Sequence, residues 1–337
     1  MTPPSSVTLP DQVESVQAAL LTRSSGTALK EVLEAVYPHY RLGSVPFPAL
    51  RRAFDTYFRW NQTLDERGHL RLFGQGQIAW SGTMIAKCQR KYLASWLDAA
   101  GPQIRNELAS VRMPTDFGAG DGQMTCRLLE SLASIGASPT QVILIDQNSE
   151  ALILATRRLR RHFGPALEIE SKCGRFQRMQ FPTANPEFRL VFASSALHEL
   201  PRAQKQQVLN KVAISARFLL VVELSSDHEA PASGSSTLAW RAARFYDALL
   251  ADAFESLPAT VHQSVVGVFL LDGLLDLWFE NYDNRHNYHL SAAGWTECLT
   301  QAGYEVTSIE QFDTGTLETC YILAESPGCR CSTNRTS

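Results

Sequence analysis

The chain has 337 residues, with 31 Lys and Arg against 34 Asp and Glu for a formal net charge of −3, and it is 45% apolar and 19% charged. At roughly 150 residues per domain this is enough for about two domains with a sizeable core, and it excludes a mainly disordered chain. The near-neutral balance supplies no global attraction to nucleic acid or to an anionic membrane and leaves only local patches to be weighed.

The most apolar run, from Val265 to Phe279, is interrupted by Asp272 and Asp276. It falls short of the roughly 20 residues a membrane-spanning helix needs. The opening MTPPSSVTLPDQ has neither the basic start nor the apolar centre of a secretory leader. A cytoplasmic protein without membrane attachment is therefore expected. Seven scattered cysteines read as reduced thiols rather than a disulfide framework. Cys329 and Cys331 form a C-x-C pair, but in a Gly/Pro/Ser-rich tail over 327–337 with no second ligand pair.

Residues 1–110 read as a mostly helical cap. ALKEVLEAVY (28–37) and PALRRAFDTYFRW (48–60) carry apolar residues at helical spacing, and MIAKCQRKYLASWLDAAG (84–101) is a further amphipathic candidate stopped by Gly101-Pro102. ERGHLRLFGQGQIAWSG (66–82) looks too glycine-rich for a helix and is expected to be a short hairpin or a loop. From Val111 strands and helices alternate. SVRMPTDF, QVILID, ALEIES, FRLVFASSAL and RFLLVVELSS read as strands, separated by helices over 123–136, 149–164 and 202–215. Residues 227–290 interrupt the alternation with two helices, the first burying Leu238, Ala242, Phe245 and Leu249. A helix at 291–303 and two strands, YEVTSIEQF and TCYILAES, close the domain as an antiparallel hairpin. The expected fold is α/β: a doubly wound, Rossmann-like, seven-stranded, mostly parallel sheet over 111–326 with an antiparallel last strand, a helical cap before it and a helical insert (227–290) before the last hairpin.

The first strand runs into Asp116-Phe117-Gly118-Ala119-Gly120-Asp121-Gly122. Alternate glycines allow a sharp turn and close ligand approach, and the amides at the following helix start favour a polar or anionic group. The dinucleotide fingerprint G-x-G-x-x-G is not met, because Gln123 takes the third glycine's place. The second strand ends in Asp146, beside this loop in a doubly wound sheet, where a carboxylate can accept both hydroxyl hydrogens of a ribose.

The D-x-G-x-G-x-G loop followed by Asp146 resembles the class I S-adenosylmethionine-dependent methyltransferases over about residues 110–325. The resemblance implies that S-adenosylmethionine is the cofactor. It implies that Asp116 holds the methionine amino group, that Gly118, Ala119, Gly120 and Gly122 line the methionine and ribose, that Asp146 binds the ribose and that Gln147 or Asn148 flanks the adenine. The aspartate that often follows the third strand in this family is missing from Ser171–Phe176, so the adenine contact there falls to backbone or to Phe176. Ser194, at the end of the fourth strand, would also face the cofactor.

Methyl transfer from a sulfonium requires mainly a positioned nucleophile and, where needed, a base. His198, just past the fourth strand, is a candidate general base; its alternative is a hydrogen-bonded packing role. Glu223 and then Asp227, His228 and Glu229 follow the fifth strand. His228 and Glu229 are further catalytic candidates, against the alternative of a solvated capping loop. Tyr282, Arg285, Tyr288 and His289 are candidate acceptor contacts on a lid. No metal is expected, since His286, His289, Asp227, His228 and His198 lack a regular ligand spacing. The basic run Arg157, Arg158, Arg160, Arg161 reads as a solvated helix face. The expected activity is methyl transfer to a small molecule or small peptide, with nucleic acid as an unlikely partner. The alternatives are an RNA methyltransferase and a non-catalytic scaffold of the same fold. Oligomeric state is not legible in the sequence.

Overall fold

The structure is a computed structural model that describes residues 47–50, 52–53, 66–99, 101–181, 185–232, 235–280, 282–314 and 317–329. The helix expected over 28–37, most of that over 48–60 and the tail beyond Cys329 lie outside the described residues. The chain divides into two compact units. One comprises Met1–Ile85 with Ser226–Tyr288, the other Ala86–Ser225 with His289–Ser337.

The second unit holds seven strands: β1 (Met113–Phe117), β2 (Gln141–Asp146), β3 (Glu168–Cys173), β4 (Arg189–Ser194), β5 (Phe218–Leu224), β6 (Glu305–Asp313) and β7 (Glu318–Glu325). Their order is β3-β2-β1-β4-β5-β7-β6. The first five are parallel, and β7 runs antiparallel to both β5 and β6. This is the expected sheet. β5 is buried along its whole length because successive side chains go to opposite covered faces. Leu219 and Val221 join a core with Val208, Leu209, Trp295 and Leu299. Leu220 and Val222 join another with Leu93, Leu97, Leu128 and Leu132. Strand order reverses between β1 and β4, so a crevice opens at their carboxyl ends.

In the first unit, residues 66–80 form a helix, α1 (Glu66–Trp80), rather than the expected hairpin or loop. The glycines that argued against a helix serve its packing. A Cβ on Gly76 would sit 2.4 Å from the Ser264 carbonyl oxygen and 2.6 Å from Phe269 Cβ, so only glycine permits this approach. α2 (Met84–Ala99) begins at the end of this segment and belongs from Ala86 onward to the second unit, as does α3 (Pro102–Leu108). The insert supplies a 21-residue helix (Ser236–Ser256), in which Leu238, Ala242, Phe245 and Leu249 are all buried as expected. The apolar run then forms a π-helical stretch (Val265–Leu270) and an α-helix (Leu271–Phe279). Ala259–Trp278 is long and apolar enough to cross a membrane by composition, but 56% of its most apolar window is buried inside the protein. Trp278 Nε1 donates to Ala239 O at 3.1 Å, as expected of a core helix.

Candidate functional site

The β1 loop is built around three left-handed glycines: Gly118 (φ 70°), Gly120 (φ 52°) and Gly122 (φ 77°). Two of them are held by packing. A Cβ on Gly118 would meet Ala196 Cβ at 2.6 Å, and one on Gly122 would meet Ala155 Cα and Cβ at 2.8 Å. Gly120 is different, since a Cβ there would find only the Gly118 carbonyl oxygen, at 4.0 Å. Its side faces open space that a ligand can enter.

Asp146 fixes the loop from β2. Its Oδ2 accepts from Gly120 N at 2.8 Å, and its Oδ1 accepts from Asn148 N at 2.7 Å. Burial raises its pKa, opposed by the backbone amides that donate to it. It points at the loop and stays partly exposed, so lone pairs remain for ligand hydroxyls. Asp116 is buried. Its Oδ2 accepts from Thr125 Oγ1 at 2.5 Å, while its Oδ1 has no partner among the described residues. Desolvation pushes its pKa up to about 7. An unmet carboxylate oxygen of this kind suits a ligand ammonium. Arg158 braces the loop from outside, donating through Nε to Asp121 O and through Nη2 to Asp121 Oδ2, both at 2.9 Å. One of the four arginines of the basic run is thus a clamp on the glycine loop, whereas Arg157, Arg160 and Arg161 are exposed.

Across the crevice, the β4 turn is held by Glu223 of β5. Oε1 accepts from the amides of Ala196 and Leu197 at 2.9 Å and of His198 at 3.3 Å, and Oε2 meets His198 Nδ1 at 3.0 Å. Ser195 takes a left-handed φ of 50°, which lets the chain reverse over these contacts. The His198 ring stacks on His289, with centroids 4.3 Å apart and planes within 7°. Burial opposes protonation of His198, but the Glu223 carboxylate outweighs it and the pKa lies above the usual histidine range.

His198, Glu223 and His289 bring three ligand-type atoms within 4.8 Å of one another. The geometry favours a hydrogen-bonded histidine over a cation site. Ring lone pairs lie in the ring planes, and two stacked parallel planes do not meet at one point, while Glu223 Oε1 is committed to three amides. No metal is assigned.

The other expected site residues fall as follows. Phe176 is 7% exposed, and its ring stacks on Phe117 with centroids 5.1 Å apart. Gln147 is exposed after β2, Asn148 caps the next helix by accepting from Glu150 N and Ala151 N, and Ser194 is half-buried at the end of β4. His289 stands with His198 in the sheet-containing unit rather than with the insert residues. His228 and Glu229 belong to the other unit. His228 is buried, with Nε2 2.9 Å from Ser226 Oγ, and Glu229 accepts from the Tyr282 hydroxyl. Asp227 pairs with Arg241 at 2.6 Å, the capping-loop alternative for that residue. In the same unit Tyr288 donates to Tyr282 O, and burial pushes its pKa up to about 12. Glu223, Arg158 and Thr125 were absent from the expected site. Only Glu223 carried a signal, as an acid ending an otherwise apolar strand.

Residues 115–217 match the family model described as a methyltransferase domain. The match runs from within β1 to the residue before β5 and so takes in the glycine loop, Asp146 and His198. SCL7 of Oryza sativa is similar in fold, with a TM-score of 0.62 at 12% identity over 95% of this chain and 100% of that one. The S-adenosylmethionine-dependent methyltransferase SibL in its apo form aligns at 14% identity over 94% of this chain and 70% of that one, with a TM-score of 0.46. Magnesium protoporphyrin IX methyltransferase (ChlM) from Synechocystis PCC 6803 with bound SAH aligns at 14% identity over 81% and 94%, with a TM-score of 0.42. No curated protein sequence matches the chain.

Proposed function

We propose that this chain transfers a methyl group from S-adenosylmethionine to a small-molecule or small-peptide acceptor, with His198 as the general base. The observation that carries the cofactor half is the clamped loop, with Gly120 open on one side and the unmet Asp116 oxygen below it. Asp116 would hold the amino group, Asp146 the ribose hydroxyls, and Gln147 the adenine edge. When bound, the cofactor supplies an activated methyl group for in-line displacement, so the protein has chiefly to orient the nucleophile and take its proton. Glu223 at Nδ1 fixes the His198 tautomer and leaves Nε2 to accept that proton. It also stabilises the imidazolium that results. The stacked His289 holds the ring plane. Tyr282, Arg285 and Tyr288, with His228 and Glu229, are the acceptor-side candidates.

The test is incubation of the protein with isotopically labelled cofactor and the small-molecule fraction of a cell extract, followed by isolation of the labelled product. With that acceptor, His198→Ala should lower kcat about 100-fold or more while leaving S-adenosylhomocysteine affinity unchanged. Glu223→Gln should move the acidic limb of the rate profile to lower pH, because it removes the charge that raises the His198 pKa. Equal losses in kcat and cofactor affinity would refute the base assignment.

A further inference from the structure

Arg285 follows the last helix of the insert and is 3% exposed. Its Nη1 donates to His228 O at 3.4 Å, and its guanidinium carbon lies 5.1 Å from the Tyr282 ring centroid and 5.2 Å from that of Tyr288. Nε and Nη2 have no acceptor among the described residues. Arginine does not shed its charge when buried. A buried cation left without an anion costs several kcal/mol, and the two tyrosine rings offset only part of that.

The missing partner has a defined shape. Nε–H and the neighbouring Nη2–H lie in one plane on one edge of the guanidinium, and this fork matches the two oxygens of a carboxylate. The His228 carbonyl takes Nη1, which leaves this edge without an acceptor. The charge also sets a limit: one guanidinium carries a single positive charge, which matches a monoanion and not a dianion. We infer that the first unit contains a binding site for a carboxylate monoanion, held edge-on by Arg285 beside the Tyr282 and Tyr288 rings. Under the methyl-transfer reading, on which this clause alone rests, the carboxylate belongs to the acceptor, and the substrate class is small carboxylic acids.

The test is thermal unfolding of the full chain at pH 7.5 with benzoate, benzamide or phenyl phosphate, in wild type, Arg285→Met and Arg285→Lys. Benzoate at about ten times its Kd should raise the wild-type Tm by about 2 °C. Benzamide should give no shift, and phenyl phosphate less than benzoate. Arg285→Met should lose the benzoate shift and, without ligand, unfold at a higher temperature than wild type because the unpaired charge is gone. Arg285→Lys keeps the charge without the fork and should lose most of the shift, which decides the matter where the Met variant does not fold. A wild type blind to benzoate, a shift retained in both variants, or a larger shift with phenyl phosphate would overturn the site. Calorimetric titration of S-adenosylhomocysteine into the wild type tests the other reading separately. A benzoate shift without nucleoside binding keeps the anion site and removes the acceptor clause, and the reverse result removes the site alone.

Discussion

The two sides of the crevice are each pinned by one carboxylate, yet the two carboxylates do different work. Asp146 holds Gly120 N and Asn148 N and remains partly exposed. Glu223 is 1% exposed, spends one oxygen on three amides and gives the other to His198. An acid at a strand end is thus a binding group or a positioning group according to the lone pairs it has left. On that accounting the β1–β2 side keeps lone pairs for a ligand, and the β4–β5 side spends its own on positioning His198, which fits the proposed roles of binding site and base.

The sharpest way to break this comparison is to remove each carboxylate. Glu223→Ala strands two buried amide donors and a third that is partly buried, and should destabilise the fold by about 3–5 kcal/mol. Asp146→Ala, with fewer donors at a wetter site, should cost about 1–2 kcal/mol, but should weaken S-adenosylhomocysteine binding about 30-fold or more. Denaturant unfolding and calorimetry of both variants check this. Equal destabilisation with no difference in affinity would erase the distinction.

A smaller contrast lies within the loop. Gly122→Ala pushes a Cβ to 2.8 Å from Ala155 at a positive φ and should cost about 2–4 kcal/mol. Gly120→Ala meets open space and should cost only the backbone term, about 1 kcal/mol. Similar unfolding midpoints for the two would mean that Gly120 is packed as tightly as its neighbours.

Asp116 predicts a pH effect. Its folded pKa of about 7 lies above the unfolded value because of desolvation. Between roughly pH 4 and 7 the folded state keeps a proton that the unfolded state has released, so stability falls as pH rises through that window. Asp116→Asn should therefore gain up to about 4 kcal/mol over wild type at pH 8 and nothing at pH 4. Asp272, also raised to about 7 by burial, gives wild type and variant alike a residual slope. Parallel stability curves would contradict the burial of a charge at residue 116.

The same contrast explains what the sequence made legible. The glycine loop and Asp146 lie within 31 residues of one another, and each announces itself locally, by a left-handed turn requirement and by a strand end. Fold class was readable for a similar reason: the β5 run is apolar at every position but Glu223 because both faces are covered. The His198–Glu223–His289 group joins residues from three separate segments, and no local pattern signals a stack of two rings. α1 was misjudged because glycine content weighs against a helix in isolation, whereas Gly76 is required by the neighbour it touches. The adenine contact was left to backbone or to Phe176 because the family's aspartate is absent there, and the stacking of Phe176 on Phe117 had no signal in the sequence.

The central claim is that the turn from Asp116 to Gly122 cradles S-adenosylmethionine through the open side of Gly120. Calorimetric titration with S-adenosylhomocysteine tests it directly. Wild type should bind with micromolar affinity, and Gly120→Arg should bind nothing measurable while unfolding within about 1–2 kcal/mol of wild type. Unchanged binding by Gly120→Arg, or none by wild type, would contradict the account.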